Sequence, residues 1–202
     1  MANSPRTRLE PEARRAQLVE LGLQMLSTRT LDQVAIDDIA AEAGISRGLL
    51  FHYFPTKRDF HVAVARAAAQ DMLARTDSDP DLPPIARLRA GVEAFVDHVA
   101  GNPDAYAAFI RGSGGGDPRL AEVHEATRTA FTERVLDGLG VTRPAAPRLR
   151  AAVRGWVAFT EEVTVDWLSR RDLSRDQVVA LIDEALVALV TMATGAWPEL
   201  EG

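Results

Sequence analysis

Apolar residues recur at intervals of three and four along nearly the whole chain, and no alternating run of useful length interrupts them. Leu18, Leu21, Gly22, Met25 and Leu26 share one face of a helix predicted over 11–28, and Ile39, Ala40 and Ala43 mark a short helix, 37–43, ending at Gly44. Ser46 opens the next, 46–54, and Pro55 closes it, because the residue before a proline is pushed out of the α region. Thr56 then caps a helix reaching about Arg75, with Asp59 in the capping-box position three residues on. Ile85, Leu88, Val92, Phe95, Val96 and Val99 predict a helix over 83–101; Tyr106, Phe109 and Ile110 one over 103–111. Leu120, Val123, Thr127, Phe131, Val135 and Leu136 trace 118–138, a long helix covers 148–170, and a capping box at Ser174 and Gln177 opens the last, 174–194. The fold class is all-α, with about nine helices. "TDSDPDLPP" (76–84) is loop chemistry and divides the chain into 1–75, with a flexible tail at 1–10, and 76–202; "GSGGGD" (112–117) is a further flexible break.

Composition narrows the chemistry. The 202 residues include no cysteine, which excludes disulfides, thiolate metal sites and cysteine nucleophiles. The N-terminus lacks the apolar core of a secretory signal, and the apolar stretch from Ala185 is too short to span a bilayer, so the expected location is the cytoplasm. Net charge is -6, yet residues 1–60 balance eight basic groups against eight acids, so the acid excess lies beyond residue 60. Any DNA contact must come from where the few cations sit.

In "GISRGLLFHYFPTKRDF" (44–60) four rings follow one another, Phe51, His52, Tyr53 and Phe54, and a helix this short cannot bury all of them. Helices 37–43 and 46–54 joined at Gly44–Ile45 have the lengths of a helix-turn-helix. Ile45, Leu50 and Phe54 can fill the space between the helices, which leaves Ser46, Arg47, His52 and Tyr53 outside, with Lys57 just beyond. The skeleton "IDDIAAEAGISRGLLFHYFPTKRDF", within a match from about Ala13 to Ala68, resembles the TetR family of bacterial transcriptional regulators. That resemblance implies a homodimer with N-terminal helices on an operator, usually as a repressor, and C-terminal helices around a small molecule. Carried over by position, Arg47 and Gly48 would sit in the major groove beside Ser46, and His52, Tyr53 and Lys57 on the backbone. Leu49 stands where threonine is usual, Phe51 where tyrosine is usual, and Asp37 where the residue is often basic; an acid there is repelled by phosphate unless it accepts from a cytosine amino group.

The remaining candidates carry less. "RGSGGGD" lacks the lysine and hydroxyl ending of a phosphate loop, and the four histidines show no metal spacing. His98 and His124 read as ordinary partly buried residues, Glu161 and Glu162 as surface charges, and Arg6 and Arg8 as a solvated tail. No enzyme chemistry, cofactor or metal is implied. On helix 148–170, with Trp156 at zero, Thr160, Val163 and Phe159 fall at about 40°, 340° and 300°. The apolar arc covers about half the cylinder, and helix 174–194 is apolar nearly all round, so the two are expected to pair with a second copy. Phe95, Phe109, Thr127, Phe131, Trp156, Phe159, Thr160 and Val163 are the expected lining of a pocket for an apolar or aromatic, neutral effector, since no buried arginine or lysine is evident. The alternative is a helical ligand-binding or scaffolding dimer with little DNA affinity, to which the neutral N-terminal segment, Asp37 and Leu49 point.

Overall fold

A computed structural model describes residues 10–79, 81–113, 117–141 and 144–196. Within them lie nine α-helices, a 3-10 turn at Leu31–Gln33 and no strand. The helices are α1 (Pro11–Met25), α2 (Ile36–Glu42), α3 (Arg47–Tyr53), α4 (Lys57–Arg75), α5 (Pro84–Gly101), α6 (Pro103–Ser113), α7 (Pro118–Gly138), α8 (Pro147–Arg170) and α9 (Arg175–Thr194). The 3-10 turn was not anticipated, although Thr30 and Gln33 form a third capping box there. The other two are present: Thr56 N–H donates to Asp59 at 2.9 Å, and Ser174 N–H to Gln177 at 2.8 Å. The glycines at 114–116, residues 142–143, and the tail with Arg6 and Arg8 lie outside the described residues.

One cluster holds α1–α4 together through Leu18, Val34, Ile36, Ile39, Leu50, Phe54, Phe60 and Val64, all buried. Phe54 and Phe60 meet edge to face with centroids 5.2 Å apart, a preferred arrangement that fixes the end of α3 on the start of α4. A Cβ on Gly22 would lie 2.5 Å from Val64 Cγ2 and 2.9 Å from Phe60 Cζ, so α1 and α4 cross at a distance that only glycine permits. Gly44 takes φ +62°, and Ile45 N–H closes the turn on the Ala40 carbonyl at 2.9 Å. A glycine there avoids the left-handed penalty of about 1–2 kcal/mol.

A second, larger cluster packs α5, α7, α8 and α9 around Val96, Leu136, Val153, Trp156, Ile182 and Val190. Trp156 Nε1–H donates to the Ile182 carbonyl at 2.8 Å, so α8 and α9 are joined by a bond as well as by packing. By length and composition alone α9 could cross a bilayer, longer than the stretch from Ala185 suggested; here Val178, Val179, Ile182, Leu186 and Val190 are buried within the fold. The two clusters meet along α4. Phe60 and Val64 belong to the first, Met72 to the second, and Val62, Ala65 and Ala69 to a small cluster with Val123. Arg119 at the start of α7 also donates to Asp59 at 2.6 Å.

Candidate DNA-reading surface and effector cavity

Ser46 caps α3, its hydroxyl accepting from Leu49 N–H at 3.2 Å, and directs the first turn outward. Ser46, Arg47, Gly48, His52 and Lys57 are all exposed on this side, and Tyr53 is partly buried. Leu50 and Phe54 are the residues of the helix that turn inward, while Phe51 lies at the edge with the Arg47 guanidinium 5.5 Å from its ring centre. Tyr53 packs against the core and offers its ring edge-on to His52, centroids 5.3 Å apart. Lys57 Nζ donates to the Asp32 carbonyl at 3.2 Å, which ties the first turn of α4 to the 3-10 turn.

Asp37 has a partner that the sequence did not reveal. Arg47 Nη1 donates to both of its carboxylate oxygens, at 2.9 and 3.0 Å. The first turns of α2 and α3 are brought together by the tight turn at Gly44, so the acid faces the arginine across the motif. The pairing uses Nη1 alone and leaves Nε and Nη2 of this exposed side chain without a hydrogen bond. A two-donor edge is what guanine O6 and N7 accept in the major groove. Leu49 is 40% exposed beside it and offers an apolar surface of the kind a thymine methyl packs on.

A cavity of about 570 Å³ lies among α4, α5, α6, α7 and α8. Phe95, Phe109, Thr127, Phe131, Trp156 and Thr160 line it, as do Met72 and Thr76 from the end of α4. Phe95 meets Tyr106 and Phe131 edge to face, at 5.8 and 6.1 Å, leaving the cavity bordered by aromatic edges and faces. Burial, with Glu161 nearby, pushes the Tyr106 hydroxyl well above its usual pKa, so it stays protonated as a donor.

Two expectations about this wall are corrected. Phe159 and Val163 do not line it; they pack, partly buried, against the main core. The cavity is met by Trp156, Val157, Thr160 and Glu161, an arc centred about 70° round the helix from Trp156 on the side away from Phe159. The same rotation turns Glu161 inward, its side chain only 12% exposed. Glu161 accepts from Arg128 Nε at 2.7 Å and meets His124 Nε2 at 3.0 Å, so it is not a surface charge; His124 is partly buried, and Glu162 remains exposed. Arg87 and Arg134 border the cavity without being buried; Arg134 lies 5.6 Å from the Phe131 ring centre and donates to Thr76 Oγ1 at 3.0 Å. Among the described residues no group of three or more His, Asp or Glu is placed to hold a metal.

A helix-turn-helix with an arginine at its outward tip, carried on a helical body with a cavity, is the architecture of a DNA-binding regulator. Residues 18–64 match the family described as "Bacterial regulatory proteins, tetR family", and residues 84–189 match "Tetracyclin repressor-like, C-terminal domain". The chain belongs to the TetR family of transcriptional regulators, and is not an enzyme. A crystal structure of a tetR-family transcriptional regulator from Streptomyces coelicolor is 31% identical, with a TM-score of 0.81 over 93% of this chain and 84% of that one. The HTH-type transcriptional activator FasR of Mycolicibacterium smegmatis is 27% identical over 85% of this chain and 80% of its own length. The HTH-type transcriptional regulator LuxR of Vibrio harveyi shares 41% over 59 residues, 29% of each chain.

Proposed function

We propose that this protein is a cytoplasmic, ligand-responsive repressor that binds a near-palindromic operator as a homodimer and releases it when a small apolar or aromatic effector fills the cavity. Residues 1–75 form the DNA-binding part and 76–202 the effector and dimerisation part. The observation that carries the reading is the reach of α4. Met72 and Thr76 at its end are cavity wall, while Phe60 near its start packs on Phe54 of the reading helix. At 1.5 Å per residue this helix is about 28 Å long, so a displacement at the wall is carried along α4 to α3. Two reading helices must sit about 34–36 Å apart for successive major grooves, and a coupling of about 1–3 kcal/mol is enough for a regulatory response.

The second copy docks on α8 and α9. Leu181, Val187 and Met192 are exposed within an arc of α9 about 140° wide, Val187 at one edge and Leu181 and Met192 at the other, and Ala151 and Gly155 on α8 allow close approach. Within the groove Arg47 reads guanine and Leu49 an adjacent methyl; His52, Tyr53 and Lys57 lie on phosphates, and Ser46 and Gly48 let the backbone come close. One observation favours the scaffolding alternative: Asp37 already occupies one nitrogen of Arg47 in a segment of no net charge. Binding to the promoter of its own gene, measured against salt, separates the two. The regulator reading expects log affinity to fall linearly with log salt and a clear preference over unrelated DNA; weak binding with no preference supports the scaffold. The position of the protected site against the transcription start distinguishes repression from the activation for which the mycobacterial relative is named.

A further inference from the structure

The cavity wall contains a polar group with no partner. Among the described residues the buried threonines are Thr76, Thr127, Thr132, Thr160 and Thr164. Four of them return their hydroxyl to the carbonyl four residues back: Thr76 to Met72, Thr127 to Val123 and Thr132 to Arg128 at 2.8 Å, and Thr164 to Thr160 at 2.7 Å. Thr160 departs from this pattern. It is 7% exposed, and its Oγ1 meets no donor or acceptor. The Trp156 carbonyl stands one turn back in the same helix and offers the bond that the other threonines make. The Thr160 hydroxyl does not make it, and Thr160 is one of the residues that line the cavity. A buried hydroxyl left unpaired is unfavourable, so a molecule that supplies its partner is favoured there over one that does not.

The surroundings fix the charge and shape of that molecule. Glu161, the next residue, gives its oxygens to Arg128 and His124, so the polar cluster beside Thr160 is already paired within itself. A carboxylate placed there would face Glu161, and an ammonium would have to compete with Arg128. Phe95, Phe109, Phe131 and Trp156 supply an apolar wall for the rest. We propose that Thr160 is the anchoring group of the effector site, donating to a carbonyl oxygen of a neutral effector whose body is apolar or aromatic. This rests on the reading of the cavity as the effector site.

The test uses benzophenone and diphenylmethane, which differ only by the carbonyl, titrated calorimetrically into the full-length protein without DNA. Wild type should bind benzophenone on the order of tenfold more tightly. Thr160→Val keeps the shape without the hydroxyl and should bind both alike, whereas Thr160→Ser should keep the preference. Because no internal bond is lost, Thr160→Val should melt no lower than wild type. The proposal is overturned if wild type binds neither probe or does not distinguish them. It is equally overturned if Thr160→Val keeps the preference, or if that variant is clearly destabilised, which would mean the hydroxyl bonds within the protein. Operator affinity is measured separately: anchoring at Thr160 with no change in DNA binding would leave the anchor intact and count against control of DNA from the cavity.

Discussion

Asp37 and Arg47 make an ion pair at the tip of the reading surface, and removing the acid should have two opposed effects. Both side chains are about two-thirds exposed, at 65% and 62%. An exposed pair of this kind is worth about 0.2–1 kcal/mol, so Asp37→Ala should leave folding almost unchanged. On DNA the acid repels phosphates, and its removal should strengthen binding to all sequences. The gain should stay below about tenfold, because charges beyond about 8 Å are screened at physiological salt. Asp37 also takes Nη1 of Arg47 and so orients Nε and Nη2. Without it the preference for the read base pair should fall by up to ~1 kcal/mol, roughly fivefold. Arg47→Ala should cost about 1–3 kcal/mol at that base pair and leave the others alone. Fluorescence anisotropy with the operator, and with the operator altered at that position, reads all of this at two salt concentrations. The double variant should match Arg47→Ala in specificity, because the acid acts through the arginine. Additive losses in the double variant, or unchanged discrimination in Asp37→Ala, would refute the orienting role.

Lys57→Ala should weaken binding to every sequence alike and lower the salt slope by about one, as measured by the same titration across salt concentrations. Charging both edges of the exposed face of α9, with Leu181→Asp and Val187→Asp together, should give a folded monomer by sedimentation. Val179 and Leu186, by contrast, are buried in the chain's own core, so a charge there tests folding. Acid should loosen the fold between pH 7.5 and 5.5. Burial holds the His61 and His98 imidazoles below their ordinary pKa, against smaller opposing effects from the Val34 carbonyl and Asp32 at His61 and from Asp71 at His98. The unfolded chain therefore binds more protons, and stability is lost as pH falls through about 6.5 towards the lowered values. Denaturant midpoints should show this slope, and His61→Gln should flatten it.

The helices were legible because their signals are local. Pro55, the Thr56–Asp59 and Ser174–Gln177 capping boxes and three-four periodicity each act within a turn or two of chain. The 3-10 turn at Leu31–Gln33 carried the same capping-box signature at Thr30 and Gln33, but three residues show no periodicity to support it. The outward face of α3 was legible because Leu50 and Phe54 must go inward, which exposes Ser46, Arg47 and His52; Tyr53, expected outside, is partly buried against the core. The wall of the cavity was less so. Rotation of α8 is set by its neighbours, through bonds such as that from Trp156 to Ile182, and an error of about 70° exchanges Phe159 and Val163 for Val157 and Glu161. Long-range pairs were not legible at all. Glu161 reads as a surface charge until Arg128 and His124 of α7 are seen against it, and Asp37 reads as a repulsive defect until Arg47 is seen.

The central claim is that two copies of α3, held by the α8–α9 face, read one symmetric site. A footprint of the DNA flanking this gene, taken with wild type and with Leu181→Asp/Val187→Asp, tests it most directly. Wild type should protect a near-palindromic site with half-sites centred about 34–36 Å apart, and the charged variant should protect it far more weakly. Protection of a single unpaired half-site by wild type, or an unchanged footprint from the charged variant, would contradict it.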